Sequence, residues 1–335
     1  MFDVYERESR VALTAVRAAA SLCQTVQHEM DASVLEKEDR TPVTVADFGS
    51  QALICRALRD AFPGDPVIAE EDSAALQKAD HADVLHQVVD RVRAQIPDAD
   101  AEAVCDWIDH GNATSYRDRF WTLDPIDGTK GFVRGDQYAI ALALLVDGRP
   151  RVAALGCPNL PDDFSVETPE TKGQVFLAVR DEGVLQLPVD AEEAVGPVPI
   201  HTSDTQVPSE GRFTESYVSA HSSHDLAVEV GHRLGIDVPP LRIDSQAKYA
   251  MVARGNAEIY FRLPRPGTDY VERIWDHAAG SLVVEAAGGT VTDMHGMALD
   301  WTHAPLLAKN EGIVATNGHF HQEVLEALAE QNAQA

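Results

Sequence analysis

Positive charge is what this chain has least of. Its 335 residues carry 54 acidic side chains against 27 basic ones, a formal net charge of -27, and only six of the basic residues are lysine. Such a surface repels phosphate backbones and anionic lipid, which excludes nucleic-acid and membrane-surface binding as the main activity. An acid-rich, lysine-poor surface suits concentrated salt, where screening removes the self-repulsion. Both a halophilic source and a merely acidic cytosolic protein fit it. Long apolar runs are missing too. The longest, Tyr138 to Val146, is far short of the ~18 residues that a membrane span needs. Cysteine is sparse: Cys23, Cys55, Cys105 and Cys157 form no C-x-x-C pair, so neither a disulfide framework nor a zinc site is indicated. Buried free thiols in a reducing compartment are expected. The start, MFDVYERESR, has no apolar segment of the signal-peptide kind, and a cytoplasmic protein is the expectation. The chain is 44% hydrophobic, which argues against disorder. Its length lies near the size at which one core splits in two.

What is present reads as two lobes. Residues 4 to 30 have helical apolar spacing, and a second helix follows Pro42, from about Val45 to Ala61. Val67-Ile68-Ala69 is a short strand. Residues 74 to 104 read as a polar, helical surface excursion. Phe120 to Leu123 is a strand, and Tyr138–Val146 with Val152–Leu155 a hairpin across Asp147-Gly148. A second hairpin spans Val175–Val179 and Val184–Leu187. The Pro- and acid-rich segment 188–199 is the lobe boundary, giving lobes of residues 1–195 and 196–335. Beyond it strands (217–220, 241–243, 259–263, 313–316) alternate with helices starting at Asp225, Gln246, His277 and His321. The expected fold is two helices on an antiparallel sheet followed by an α/β lobe.

Three acidic sites share one local design. Glu70-Glu71 follows a strand, Asp124-Pro125-Ile126-Asp127-Gly128-Thr129 follows another, and Asp276 sits at the N-cap position of a helix. Carboxylates at strand ends and helix starts project into clefts. Pro125 fixes its φ and Gly128 permits a tight turn, so two carboxylates three residues apart converge, with the Ile126 carbonyl between them. An all-oxygen set favours a hard cation, Mg²⁺ before Mn²⁺ or Ca²⁺. Taken alone, a D-x-x-D-G segment is more often a turn. Here Gly128-Thr129-Lys130-Gly131 adds backbone N–H groups suited to an anion. Metals beside an anion-binding turn suggest phosphoryl chemistry, with two Mg²⁺ ions roughly 3.5 to 4 Å apart.

Several segments together resemble a known family. Glu70-Glu-Asp-Ser73, Trp121-Thr-Leu-Asp-Pro-Ile-Asp-Gly-Thr-Lys-Gly-Phe132, Trp275-Asp-His-Ala-Ala-Gly280 and Glu285-Ala-Ala-Gly-Gly289 are similar to the inositol-monophosphatase superfamily of Mg²⁺-dependent, Li⁺-sensitive phosphatases. The 3′(2′),5′-bisphosphate nucleotidase branch is the nearer match. Its marks are Lys-Gly-Phe132, Asp106-Trp-Ile-Asp-His-Gly-Asn112, Gly156-Cys-Pro-Asn-Leu160, His221-Ser-Ser-His-Asp225 and Asp244-Ser-Gln-Ala-Lys-Tyr249. Ala69 stands where many members have Gly. The resemblance covers residues 36 to 318.

The resemblance implies a layered α-β-α-β-α sandwich of the sugar/inositol-phosphatase type. It assigns Glu70, Asp124, the Ile126 carbonyl, Asp127 and Asp276 to two or three Mg²⁺ ions, with Mn²⁺ a substitute and Li⁺ an inhibitor. Glu71 would orient those ligands or their water. Asp47 would accept a hydrogen bond from Thr129, which in turn takes a proton from the metal-activated water that attacks phosphorus. Without the family match, Asp47 would read as a solvent-facing helix acid. Gly128 and Thr129 would bind the scissile phosphate. His221, Ser245, Lys248 and Arg262 would hold the nucleotide and its uncleaved phosphate, although His221 could instead cap a helix and Arg262 pair with a surface acid. The implied reaction converts adenosine 3′,5′-bisphosphate to AMP and phosphate, with 3′-phosphoadenylyl sulfate and inositol polyphosphates as further substrates and a place in sulfur metabolism. The alternatives are an inositol monophosphatase and, in another class, a non-catalytic nucleotide sensor. The sensor is disfavoured by the complete ligand set. The only partner implied is a phosphorylated small molecule, and a monomer and a homodimer both remain open.

Overall fold

The computed structural model describes residues 2–30, 41–78, 81–162, 172–190, 196–217, 224–264 and 270–332. Its N-terminal helices are α1 (Glu6–His28) and α2 (Thr41–Ala61). They bury an apolar stripe that includes Leu13, Val16, Ala20, Cys23, Val45, Ile54 and Leu58. Between β1 (Val67–Ala69) and β2 (Arg119–Asp127) come α3 (Ala82–Arg93) and α4 (Ala101–Asp109). This stretch is not merely surface: Val88, Val89, Val92, Val104 and Ile108 join the core beneath α2. The polar composition hid a narrow apolar face on each helix.

Short α5 (Thr129–Arg134) leads into β3 (Ala139–Val146), β4 (Arg149–Pro161), β5 (Lys172–Val179), β6 (Gly183–Pro188) and β7 (Val198–Ile200). β1 to β7 form one sheet in sequence order, with β1–β2 parallel and the rest antiparallel. Asp147 (φ 52°) and Gly148 (φ 70°) make the predicted turn of the first hairpin. β7 lies past the expected boundary at 195 and still pairs with β6, so the first sheet reaches beyond it.

The C-terminal half holds β8 (Phe213–Glu215), α6 (His224–Leu234), β9 (Leu241–Arg242), α7 (Ala247–Ala253), β10 (Ile259–Arg262), α8 (Ala278–Ala286), β11 (Thr290–Thr292), β12 (Ile313–Thr316) and α9 (His321–Asn332). The strand expected at 217–220 is not at Tyr217: β8 ends at Glu215, and 218–220 lie outside the described residues. β11 was not foreseen. Its three residues are too few to show a period. The second sheet runs β11-β12-β10-β8-β9 and is mixed, with β8 parallel to both β9 and β10.

The layers follow from side-chain alternation. Ile140, Leu142 and Leu144 of β3 enter the core beneath α1 and α2, whereas Ala139, Ala141 and Ala143 enter the core shared with α7 and α8. Those alanines let the middle helices sit close. Phe213, Ile259, Phe261 and Val314 line the far face of the second sheet, covered by Val230 of α6 and Val324 and Leu328 of α9. The order is helix, sheet, helix, sheet, helix. All four cysteines are buried and unpaired. Among the described residues no helix is long and apolar enough to cross a membrane.

Candidate active site

Four chain segments far apart in sequence meet at one end of the first sheet. β1 delivers Glu70 from its C-terminal end. β2 carries Asp124 and Asp127, with a break in register between them where the strand bulges. Ser50 of α2 donates to the carbonyl of Pro125 at 3.0 Å and fixes that bulge. Gly128 then turns at φ 88°, where a Cβ would stand 2.9 Å from the Cβ of Ser245; only glycine fits. From the other half, the backbone N–H of Gln246 donates to the Asp127 carboxylate. The Gln246 side chain donates to the Trp275 carbonyl at 2.9 Å and accepts from the Gly280 N–H at 3.2 Å. One buried glutamine thus ties the turn carrying Asp127 to the turn carrying Asp276. Asp276 itself lies one residue before the cap position, which His277 occupies.

These segments enclose a cleft of about 530 Å³ lined by Glu70, Asp124, Ile126, Asp127, Gly128, Thr129, Ser245, Lys248, Arg262 and Asp276, among others. Glu71 lines a second groove of about 680 Å³, which shares Glu70 and Trp275 with the first. Gln51 grips the Glu71 backbone from both sides: its amide donates to the carbonyl, and its Oε1 accepts from the N–H at 3.1 Å. Ala69, where many family members have Gly, packs against Gly111, where an added Cβ would be only 2.8 Å away. The missing side chain at 111 makes the room.

The carboxylates perturb one another strongly. Burial, then the charges of Asp276 and Glu71, push Glu70 up to about 8, and a hydrogen bond with Asp124 partly offsets this. Asp124 is raised by burial and then by Glu70, Asp127, Asp276 and Asp47. Asp276 rises to about 6 through burial, with Asp127 adding to it and His277 and Arg262 opposing. Asp47 is buried rather than solvent-facing, and burial with Glu71 and Glu70 raises it. Asp124 Oδ1 is buried with no hydrogen-bond partner. Crowded carboxylates with an orphaned buried oxygen suit a hard divalent cation. Glu272, Asp276 and His277 also lie close together, but both Glu272 oxygens are already engaged, by Arg262 and His277 at 3.0 Å each. The donors free to meet a cation are therefore on the cleft side.

The same cleft also carries two basic side chains. Lys248 is buried, donates to Ser216 Oγ at 2.8 Å, and stands 5.4 Å over the Tyr260 ring. Burial lowers its pKa to about 8, against the pull of Asp127. Arg262 is opposed by burial but held charged by Glu272, Tyr260 and Asp276. Its partner is thus a half-buried acid, not a surface one. Ser245 holds a left-handed backbone (φ 69°) and accepts from the Ala247 N–H at 3.2 Å. Thr129 lies exposed at the first residue of α5. Among the described residues no hydrogen bond joins it to Asp47, which is buried and feels the charges of Glu71 and Glu70. His221 lies outside the described residues. The roles of Gln246 and Glu272 were not foreseen. Gln246 sits inside a recognised motif, but nothing in its spacing shows that it bridges two turns, and Glu272 has no local signal at all.

The geometry can be set beside known proteins. The model of the inositol monophosphatase family matches residues 5–333. A Schizosaccharomyces pombe protein named 3′(2′),5′-bisphosphate nucleotidase is 42% identical over 341 residues, covering 97% of this chain and 96% of that protein. One of the same name from Oryza sativa is 40% identical over 352 residues, covering 99% and 97%. Among solved structures, an inositol monophosphatase from Anabaena (TM-score 0.62, 21% identity, 97% and 96% covered) and Mycobacterium tuberculosis SuhB (0.61, 21%, 100% and 100%) share the fold. Matched along nearly its whole length by the family model and by these relatives, the chain belongs to the inositol monophosphatase family.

Proposed function

We propose that the protein is a Mg²⁺-dependent 3′(2′),5′-bisphosphate nucleotidase that hydrolyses adenosine 3′,5′-bisphosphate to AMP and phosphate. The observation that carries this reading is one cleft lined by two unlike sets of side chains: carboxylates at 70, 124, 127 and 276, together with buried Lys248 and half-buried Arg262. A substrate with two phosphates has one group for the carboxylate-held cations and one for the basic side chains. The Schizosaccharomyces pombe and Oryza sativa relatives, 42% and 40% identical and both named for that activity, support the choice over an inositol phosphate.

Glu70, Asp124, Asp127 and Asp276, with the Ile126 carbonyl, would hold the Mg²⁺ ions. Bound there, divalent cations supply charge neutralisation, an activated water and stabilisation of the leaving oxygen. The rest falls to the chain. Gly128 and Thr129 support the scissile phosphate. The Thr129 hydroxyl would accept a hydrogen bond from the attacking water, with Asp47 as the acid that takes up the proton passed on and returns it towards the leaving group. Glu71, gripped by Gln51, orients its neighbours. The new P–O bond forms as the ester P–O bond breaks, and the water's proton ends on the departing ribose oxygen. Lys248 and Arg262 hold the phosphate that is not cleaved, and Ser245 contacts the nucleoside; His221, the other expected contact, lies outside the described residues. Li⁺ would inhibit by competing for a Mg²⁺ position.

A panel of phosphorylated compounds with free-phosphate readout tests this. The expected result is Mg²⁺-dependent release with adenosine 3′,5′-bisphosphate preferred, and loss of more than about 100-fold on Asp127→Asn, beyond what removing a mere supporting partner costs. A higher kcat/KM for inositol 1-phosphate would assign the alternative activity. Absence of any Mg²⁺-dependent turnover would leave a nucleotide sensor.

A further inference from the structure

Arg262 does not reach the cleft unaided. Its Nε donates to Glu272 Oε1 at 3.0 Å. The other oxygen, Oε2, lies 3.0 Å from His277 Nε2. The remaining ring nitrogen, Nδ1, lies 2.8 Å from the Tyr249 hydroxyl. Tyr249 cannot shift, because Gly280 lies flat against it: a Cβ there would fall 2.1 Å from the ring. The Glu272 backbone is also pinned, its carbonyl accepting from the Leu307 N–H at 2.9 Å. The four residues come from α7, the end of β10, the 270–273 loop and the cap of α8. With Nε committed to Glu272, the outer edge of the guanidinium turns to the cleft, and Nη2 stands 4.0 Å from Asp276 Oδ2.

We propose that Tyr249, His277 and Glu272 form a positioning relay that aims Arg262 at the uncleaved phosphate, and that the chain's preference for a second phosphate depends on it. This rests on the bisphosphate reading above. The chemistry is that of the guanidinium fork. Arg has five N–H donors, so one edge can be locked by a carboxylate while the other binds an anion in two places. A free Arg would pay the ordering cost at every binding event. The carboxylate also keeps the guanidinium at one distance from Asp276, so that the cation stays near the metal ligands without collapsing onto them.

The test measures kcat and KM for adenosine 3′,5′-bisphosphate and for 3′-AMP, which lacks the second phosphate, in wild type, Glu272→Ala, Glu272→Gln and Tyr249→Phe. Glu272→Ala is expected to lower the bisphosphate-over-monophosphate ratio of kcat/KM by about 10- to 100-fold, mostly through KM. Glu272→Gln can still accept from Arg262 Nε and should restore much of the ratio. Tyr249→Phe removes only the far hydroxyl and should shift it the same way by less, which keeps the test open if Glu272→Ala fails to fold. A wild-type enzyme with no preference for the bisphosphate overturns the substrate reading and this proposal together. A preference that survives Glu272→Ala, or Tyr249→Phe should the first not fold, overturns the relay alone. A loss falling on kcat equally for both substrates would do the same, by assigning a merely structural role.

Discussion

Ser50 and Pro125 are 75 residues apart, yet the Ser50 hydroxyl donates to the Pro125 carbonyl at 3.0 Å, in the bulge between two active-site carboxylates. Helix α2 thereby sets the spacing of Asp124 and Asp127. Replacing Ser50 with Ala leaves a buried carbonyl unpaired, which costs about 1–3 kcal/mol. The expected outcome is a lower urea midpoint together with weaker Mg²⁺ activation. Unchanged Mg²⁺ dependence would show that the bulge holds its shape without this bond.

The metal-free protein should lose stability as pH rises. Glu70 is held up to about 8 and Asp276 up to about 6, by burial first and neighbouring carboxylates next. Ordinary carboxylates titrate near ~4, so the folded state keeps these protons longer than the unfolded chain does. The associated stability is full below about pH 4 and lost as pH climbs through about 6 and then 8. On the proposed reading Mg²⁺ would take the place of these protons and flatten the curve. Melting temperatures between about pH 5 and 8.5, in EDTA and in Mg²⁺, check this. Parallel curves would count against a shared cation site.

Gly128→Ala is expected to be costly at both levels. The residue would need φ 88° and a Cβ placed 2.9 Å from that of Ser245, itself in a left-handed conformation. Strain of this kind costs on the order of 1–3 kcal/mol. Denaturant midpoint and kcat/KM should fall together. If stability falls and turnover does not, the turn is structural only.

Salt should stabilise the fold. A formal charge of -27 with only six lysines leaves repulsion that ions screen. Melting temperature is expected to rise from low to molar KCl, and a fall would refute the salt-adapted reading of the composition.

Much of this was written in the sequence, and the pattern of what was not is instructive. The D-P-I-D-G-T run, the strand before Glu70 and the helix after Asp276 announce themselves because proline, glycine and apolar periodicity act locally. β12 and the two hairpins were legible for the same reason. Contacts made by single polar side chains over long spans were not. Gln246 looks like any polar residue beside a helix, and Glu272 like any acid in a loop, until folding brings Asp127, Trp275, Arg262 and His277 against them. The α3–α4 stretch misled for another reason: its mean polarity is high, and only its phase shows the buried valines. The burial of Asp47 depends on how α2 rotates against the sheet, which no local signal encodes.

The helices α7 and α8 serve both sheets at once, with the alanine face of β3 on one side and β10, β11 and β12 on the other. Among the described residues the two sheets therefore share one helical layer and one core. A fragment ending near residue 200 would expose Ala139, Ala141 and Ala143 to water and should be recovered as aggregate, not as a free-standing half.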